Sequence, residues 1–277
     1  MEKMRYSNLH THTTFSDGVG SVKQNVESAI SKNMLSLGFS DHSFTACDPS
    51  YCMHTDRYKA YIDEVNAAKK EYEGMLPIFL GLEKDYYSEG DDEAFDYVIA
   101  SAHYINRGEK CYPIDHTLAQ QQECVREVFG GNVVDMAKYY FEMMVKHVEK
   151  TKPTFIGHFD VVTKFSYMPE EDEGYQKAAQ ESLFECLKTC KYLEFNTGGI
   201  SRGYKTFPYP NKFLLEKVKE YGGKLLLGSD SHDPRNLDFF FDESVKILKS
   251  IGFETISVFN GKEFDSESNS IYKFKSN

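Results

Sequence analysis

The sequence predicts an α/β protein built on a closed parallel barrel, and three observations carry that prediction. Short apolar runs of four to seven residues alternate with longer amphipathic stretches. Nearly every apolar run is followed by a histidine, an aspartate or a glutamate. The polarity of that arrangement does not change along the chain, as expected when parallel strands deliver side chains to one rim. A doubly wound open sheet is the alternative fold. It would collect ligands at one switch point and not from nearly every strand.

The first run, Tyr6 to His10, opens into His10-Thr11-His12 and Ser16-Asp17-Gly18. Histidines two apart on an extended segment point the same way, and Gly18 permits the turn that folds Asp17 back towards them. Ser21 is placed to cap a helix over Val22 to Lys32, with Val22, Val26, Ala29 and Ile30 on its inner face. The second run, Leu35 to Phe39, ends in Asp41-His42. A helix over Arg57 to Tyr72 follows, its inner face formed by Tyr58, Tyr61, Ile62 and Val65. The third run, Leu76 to Leu82, ends in Glu83, and the fourth, Tyr97 to Ala102, in His103. Residues 104–132 break the rhythm as an insertion, with a helical piece near Leu118 to Val128. A helix over Val133 to Glu149 leads to the fifth run, Thr154 to Gly157, which ends in His158-Phe159-Asp160. A helix over Gln176 to Thr189 leads to the sixth, Tyr192 to Phe195. Pro210 suits an early helical position and Gly222 the far end of that helix. The seventh run, Lys224 to Leu227, ends in Asp230-Ser231-His232. After a helix over Phe240 to Ile251, the run Thr255 to Phe259 is expected to close the sheet, with a loose tail from Gly261.

With 277 residues, 40% hydrophobic and 27% charged, the chain has the composition of a globular enzyme and is read as a single domain, 1–277. No apolar run approaches membrane length, and the start lacks a signal-peptide run, so the expected location is the cytoplasm. A net charge of −11 disfavours nucleic acid as a partner, but not a small phosphorylated substrate held by local cations. The acidic stretches Glu89 to Glu93 and Glu170 to Glu173 are read as solvated loops. The six cysteines form no C-x-x-C pair and are expected as reduced, structural thiols.

Six of the nine histidines, His10, His12, His42, His103, His158 and His232, fall at ends of apolar runs, joined by Asp17, Glu83 and Asp230. Each has an ordinary reading alone, as a loop residue, a helix cap or an ion-pair partner. Together on one rim they exceed what a single ion uses. Nine ligands at three or four per ion imply two or three divalent ions, and imidazole with carboxylate suits Zn, Mn or Fe. Asp41 is placed to orient the His42 ring. His54 and His147 receive no role.

This constellation resembles the polymerase-and-histidinol-phosphatase (PHP) superfamily of metal phosphoesterases. The motifs that carry the resemblance are His10-Thr11-His12 with Ser16-Asp17-Gly18, then Asp41-His42, Gly81-Leu82-Glu83, Ser101-Ala102-His103, Gly157-His158-Phe159-Asp160 and Ser229-Asp230-Ser231-His232. The resemblance implies a distorted (β/α)7 barrel with a trinuclear site at the carboxyl ends of the strands. One ion would take His10, His12, Glu83 and Asp230, a second Glu83 as a bridge with His103 and His158, and a third Asp17, His42 and His232. Asp17 stands where many members carry histidine. The Gly81 to Tyr86 segment, Tyr112 to His116, and Glu194 to Tyr204 resemble the histidinol-phosphatase subgroup. That implies hydrolysis of L-histidinol phosphate in histidine biosynthesis.

Phosphate monoesters repel an attacking hydroxide, and metal ions remove that obstacle by screening charge and acidifying water. A hydroxide bridging the ions is the expected nucleophile. Arg202 is the expected phosphate clamp, with Arg57 a second candidate, because a guanidinium bonds two oxygens at once. Asp160 is read either as the acid that protonates the leaving alkoxide or as an orienting residue. Asp115, Asp85 and His116 are candidates for contact with the histidinol portion. Another phosphate ester, such as a phosphotyrosine protein or a nucleotide, and a metal-binding module without turnover are the competing functions.

Overall fold

The computed structural model describes residues 4–90 and 92–265. Asp91, inside the first acidic stretch, and the part of the expected tail after residue 265 lie outside the described residues. Seven strands form one sheet: β1 (Ser7–Asn8), β2 (Ser36–Phe39), β3 (Ile78–Asp85), β4 (Tyr97–Ser101), β7 (Phe155–Ile156), β8 (Tyr192–Asn196) and β9 (Lys224–Gly228), in that spatial order. A two-stranded hairpin, β5 (Tyr104–Arg107) with β6 (Lys110–Pro113), interrupts the numbering. Every pair in the main sheet is parallel. The sheet closes just beyond β1 and β9, where His12 N–H donates to Ser231 O at 2.9 Å and Ser231 N–H to His10 O at 3.2 Å. The predicted TIM-like barrel, distorted and seven-stranded, is what the chain forms.

Helices α1 (Val22–Ser31), α2 (Tyr58–Glu71), α3 (Leu118–Val128), α4 (Val133–Thr151), α5 (Glu173–Thr189), the short α6 (Gly198–Ser201), α7 (Lys212–Glu220) and α8 (Phe241–Ile251) follow the strands. Ser21 caps α1 in a reciprocal box with Gln24, satisfying two otherwise orphaned donors. Val22, Val26 and Ala29 are buried as expected, but Ile30 is exposed and Asn25 takes the buried position. Within the insertion 104–132, the helical piece expected near Leu118 to Val128 appears as α3, with the β5–β6 hairpin before it. No helix among the described residues is long and apolar enough to cross a membrane.

Three sequence expectations are corrected. Val258–Phe259, β10, does not join the barrel; it pairs antiparallel with β11, Phe264–Asp265. Phe259 and Phe264 pack against Phe79, Tyr97, Phe155 and Tyr192, which begin barrel strands. The run is therefore apolar because it plugs the amino end of the barrel. Pro210 lies outside α7, before its cap Asn211, in a cis peptide with Tyr209. Cys47 and Cys111 are joined in a disulfide, whereas Cys52, Cys124, Cys186 and Cys190 are free and buried as expected.

Candidate metal centre

All nine predicted ligands come together at the carboxyl ends of the strands. Glu83 is the hub. It lies inside β3 and not beyond it, on the alternating face that also carries Asp85. Its Oε1 is 3.0 Å from His158 Nε2, 3.3 Å from His10 Nε2 and 3.6 Å from His103 Nε2. Its Oε2 is 2.7 Å from His42 Nδ1 and 3.6 Å from His12 Nε2. Asp230 Oδ1 closes the group, 3.2 Å from His12 Nε2 and 3.7 Å from His10 Nε2. Asp17 stands at the outer edge, 3.2 Å from His232 Nε2 and 3.7 Å from His42 Nε2. Ligand atoms close enough to share an ion occur in four overlapping sets: His12 with Asp17, His42 and His232; His10 with His12 and Glu83; His10 with His158 and Asp230; and His42 with Glu83 and His103.

The local sequence explains these positions. Gly18 is required for space: a Cβ there would sit 2.5 Å from the His12 carbonyl, so only glycine lets the turn fold Asp17 back. Asp41 does not orient His42 as expected. Its carboxylate accepts Thr13 N–H at 2.8 Å, Thr13 Oγ1 at 2.9 Å, and both the N–H and Oγ of Ser16. It clamps the loop between His12 and Asp17. Asp230 adopts a left-handed backbone, φ 48°, which costs a non-glycine residue about 1 kcal/mol or more.

Two orienting carboxylates emerge with the site. Glu194 receives His10 Nδ1 at 2.9 Å, His158 N–H at 2.6 Å and Asn196 Nδ2 at 2.8 Å. Its signal in the sequence was a lone acid inside the apolar strand β8. Asp85 accepts His103 N–H at 2.8 Å and faces His103 Nδ1 at 3.2 Å, so it serves the cluster and not a ligand. Such partners fix ring orientation and tautomer.

Burial favours neutral His10, but Glu194, Glu83 and Asp230 outweigh it and hold the ring well above its ordinary pKa. Burial, with His232 and His42 alongside, pushes His12 down to about 3. Burial also opposes protonation of His103, yet Glu83 and Asp85 push it up to about 9. Glu83 is held well below the carboxylate range, the surrounding imidazoles overcoming its burial.

The cluster fits a metal on its own chemistry. His10 Nε2, both His12 ring nitrogens and His158 Nδ1 are buried without a hydrogen-bond partner. Leaving such atoms unpaired costs about 1–3 kcal/mol each, and native structures avoid it unless something else satisfies them.

A cavity of about 260 Å³ opens over the cluster. Arg202, Asp115 and His116 line it as predicted, and so do Lys164 and Tyr51, for which the sequence offered no signal. Arg202 Nη2 pairs with Asp230 Oδ2 at 2.5 Å, and its Nη1 reaches Asp230 O and His232 Nδ1, both at 3.1 Å. Lys164 Nζ is 3.3 Å from Asp115 Oδ2, while Asp115 Oδ1 is buried and unpaired. Two expected residues do not reach the cavity. Arg57 donates to the Thr14 and Phe15 carbonyls, both at 2.9 Å, and braces the Asp17 loop from outside. Asp160 is turned away, its Oδ2 accepting Asn211 N–H at 2.9 Å.

A TIM-like barrel carrying this rim of histidines and carboxylates is the architecture of a PHP domain, and over residues 8–198 the chain matches that family, to which it belongs. The relatives are specific. The histidinol-phosphatase of Bacillus subtilis is 27% identical, over 84% of this chain and 96% of that protein. In fold, the chain is similar to a histidinol phosphatase from Listeria monocytogenes (TM-score 0.75, 22% identity, 86% of this chain and 99% of that one). It is also similar to the histidinol phosphate phosphatase of Lactococcus lactis, solved with zinc, L-histidinol and phosphate (TM-score 0.70, 22% identity, 95% and 100% covered).

Proposed function

We propose that this chain is a metal-dependent phosphomonoesterase that hydrolyses L-histidinol phosphate to L-histidinol and phosphate. The observation that carries the reaction class is the cluster of nine candidate ligands with its buried, unpaired ring nitrogens. The substrate rests on relatives of that name that align with most of the chain. The cluster would hold two or three divalent ions, of Zn, Mn or Fe, through overlapping sets, two of which share Glu83.

Bound ions would supply positive charge against the phosphate oxygens and an acidified water near neutral pH. The chain's own residues do the rest. Glu83 joins neighbouring ligand sets, and Glu194 and Asp85 lock the His10 and His103 rings. Arg202 and Lys164 bring two cations to the same cavity, where a phosphate dianion would meet them. Arg202 is tied to Asp230, so its guanidinium is already oriented when the ester arrives. Asp115, with an unpaired oxygen, and His116 offer the histidinol ammonium and imidazole polar partners.

The deciding experiment follows phosphate release from L-histidinol phosphate, p-nitrophenyl phosphate and a nucleotide monophosphate, using metal-stripped protein and protein refilled with Zn or Mn. Metal-dependent preference for histidinol phosphate is expected. Equal turnover of all three would overturn the substrate, and no turnover with metal bound would overturn the reaction.

A further inference from the structure

The loop that follows β2 leaves the barrel at His42 and returns at Met53, whose N–H donates to His42 O at 3.0 Å. Between them it reaches over the cavity to the β5–β6 hairpin. There Cys47 is bonded to Cys111, across 64 residues of sequence. Among the described residues, no backbone hydrogen bond joins 46–51 to the hairpin. The Asp48–His116 contact beside the disulfide is 3.9 Å long and partly exposed, so it holds weakly. Apart from the packing of Tyr51 on Tyr104 and His116, the covalent bond is therefore the tie between these two segments.

Four residues beyond Cys47, the Tyr51 ring lines the cavity. Its centroid is 4.7 Å from that of His42, 5.5 Å from His116 and 5.9 Å from Tyr104. Arg202 and Lys164, the phosphate side of the proposed reaction, belong to other elements, and their hydrogen bonds run to Asp230, His232 and Asp115. Both linked cysteines are partly exposed, which leaves a reductant an approach to them.

We propose that the Cys47–Cys111 disulfide is a positioning device for Tyr51, which forms the aromatic wall against which the alcohol portion of the substrate packs. Reduction frees that wall and weakens substrate binding without dismantling the phosphate end. The reductant is a dithiol. One of its thiolates attacks a cysteine sulfur and displaces the other cysteine as thiolate. Its second thiolate then breaks the mixed disulfide. Two electrons pass to the protein, both cysteines take up protons, and the reductant leaves as a disulfide. The part concerning substrate rests on the function proposed above.

The test uses the full chain, purified without reductant. Peptide mapping with thiol alkylation should find Cys47 and Cys111 in one linked peptide that dithiothreitol separates. Reduction should speed protease cleavage within 46–52. It should also raise KM for histidinol phosphate about three- to tenfold, the worth of one or two aromatic contacts, with kcat little changed. The double variant Cys47→Ser, Cys111→Ser should reproduce the reduced protein and ignore dithiothreitol, which separates reduction from chelation of the metal. Cys52→Ser should stay sensitive. The proposal is overturned if no linked peptide exists, or if losing the link changes neither loop cleavage nor KM. Should histidinol phosphate not be turned over at all, the function fails, and the map and cleavage pattern still decide whether the bond positions the loop.

Discussion

Glu83 has both carboxylate oxygens within 3.6 Å of five imidazoles. Glu83→Gln removes a charge and an acceptor at once. Turnover is expected to fall more than about 100-fold, because losing a ligand exceeds the 10–100-fold cost of losing an orienting partner. Metal per chain, measured by mass spectrometry, should fall with it. Full metal and activity would remove Glu83 from the site. Glu194→Gln keeps the shape but not the charge behind His10, and metal affinity is expected to drop about 10–100-fold. Asp160 makes a different prediction. Burial, reinforced by Glu170, pushes its carboxyl up to about 7. The folded state thus holds a proton that the unfolded state releases near pH 4, and that contribution to stability is lost as pH rises through 7. Asp160→Asn should match the parent in thermal unfolding near pH 4 and exceed it at pH 8, by a difference on the order of a few kcal/mol. Identical pH profiles would mean the carboxyl is not protonated.

At the scale of elements, the site depends on loops whose shape is imposed from neighbouring strands. The turn carrying Asp17 is held by Asp41, from the loop after β2, through its bonds to Thr13 and Ser16. Asp41→Ala deletes that clamp without touching a predicted ligand. The expected result is a loss of about 1–3 kcal/mol in chemical denaturation. It should also lower occupancy of the set formed by His12, Asp17, His42 and His232 more than that of the sets centred on Glu83. A variant that unfolds more easily but keeps all its metal would show the clamp to be structural only.

Across the whole molecule, the barrel gathers predicted ligands from every one of its seven strands or the loops that follow, except that β8 supplies Glu194 behind His10 in place of one. The folded state alone assembles that set. Ions that bind only the folded chain stabilise it by about 4 kcal/mol at a thousand times their dissociation constant. Chelation should therefore lower Tm by several degrees and abolish phosphatase activity together, and added Zn should restore both. A Tm indifferent to chelation would place the ions outside the folded core.

The order of strands and helices was legible because hydrophobic periodicity is a local property, written within each window of a dozen residues. The rim of histidines was legible for the same reason: His10, His12, His42, His103, His158 and His232 each follow an apolar run, and a parallel barrel turns that offset into one place. Direction was not legible. Asp41 and Asp160 both stand beside or near a ligand in sequence, yet one bonds the Thr13 turn and the other Asn211, since a side chain's partner depends on which loop arrives opposite it. Val258–Phe259 carries the composition of a barrel strand, and only its packing on Phe79 and Tyr97 made it a plug. Cys47 and Cys111, 64 residues apart, carry no spacing signal at all. The sequence by itself determined the fold class and which histidines and carboxylates share the rim. Tertiary structure alone decided the long-range pairings, among them Glu194 behind His10, Lys164 beside Asp115 and Cys47 with Cys111, because those contacts join elements whose local patterns are independent of one another.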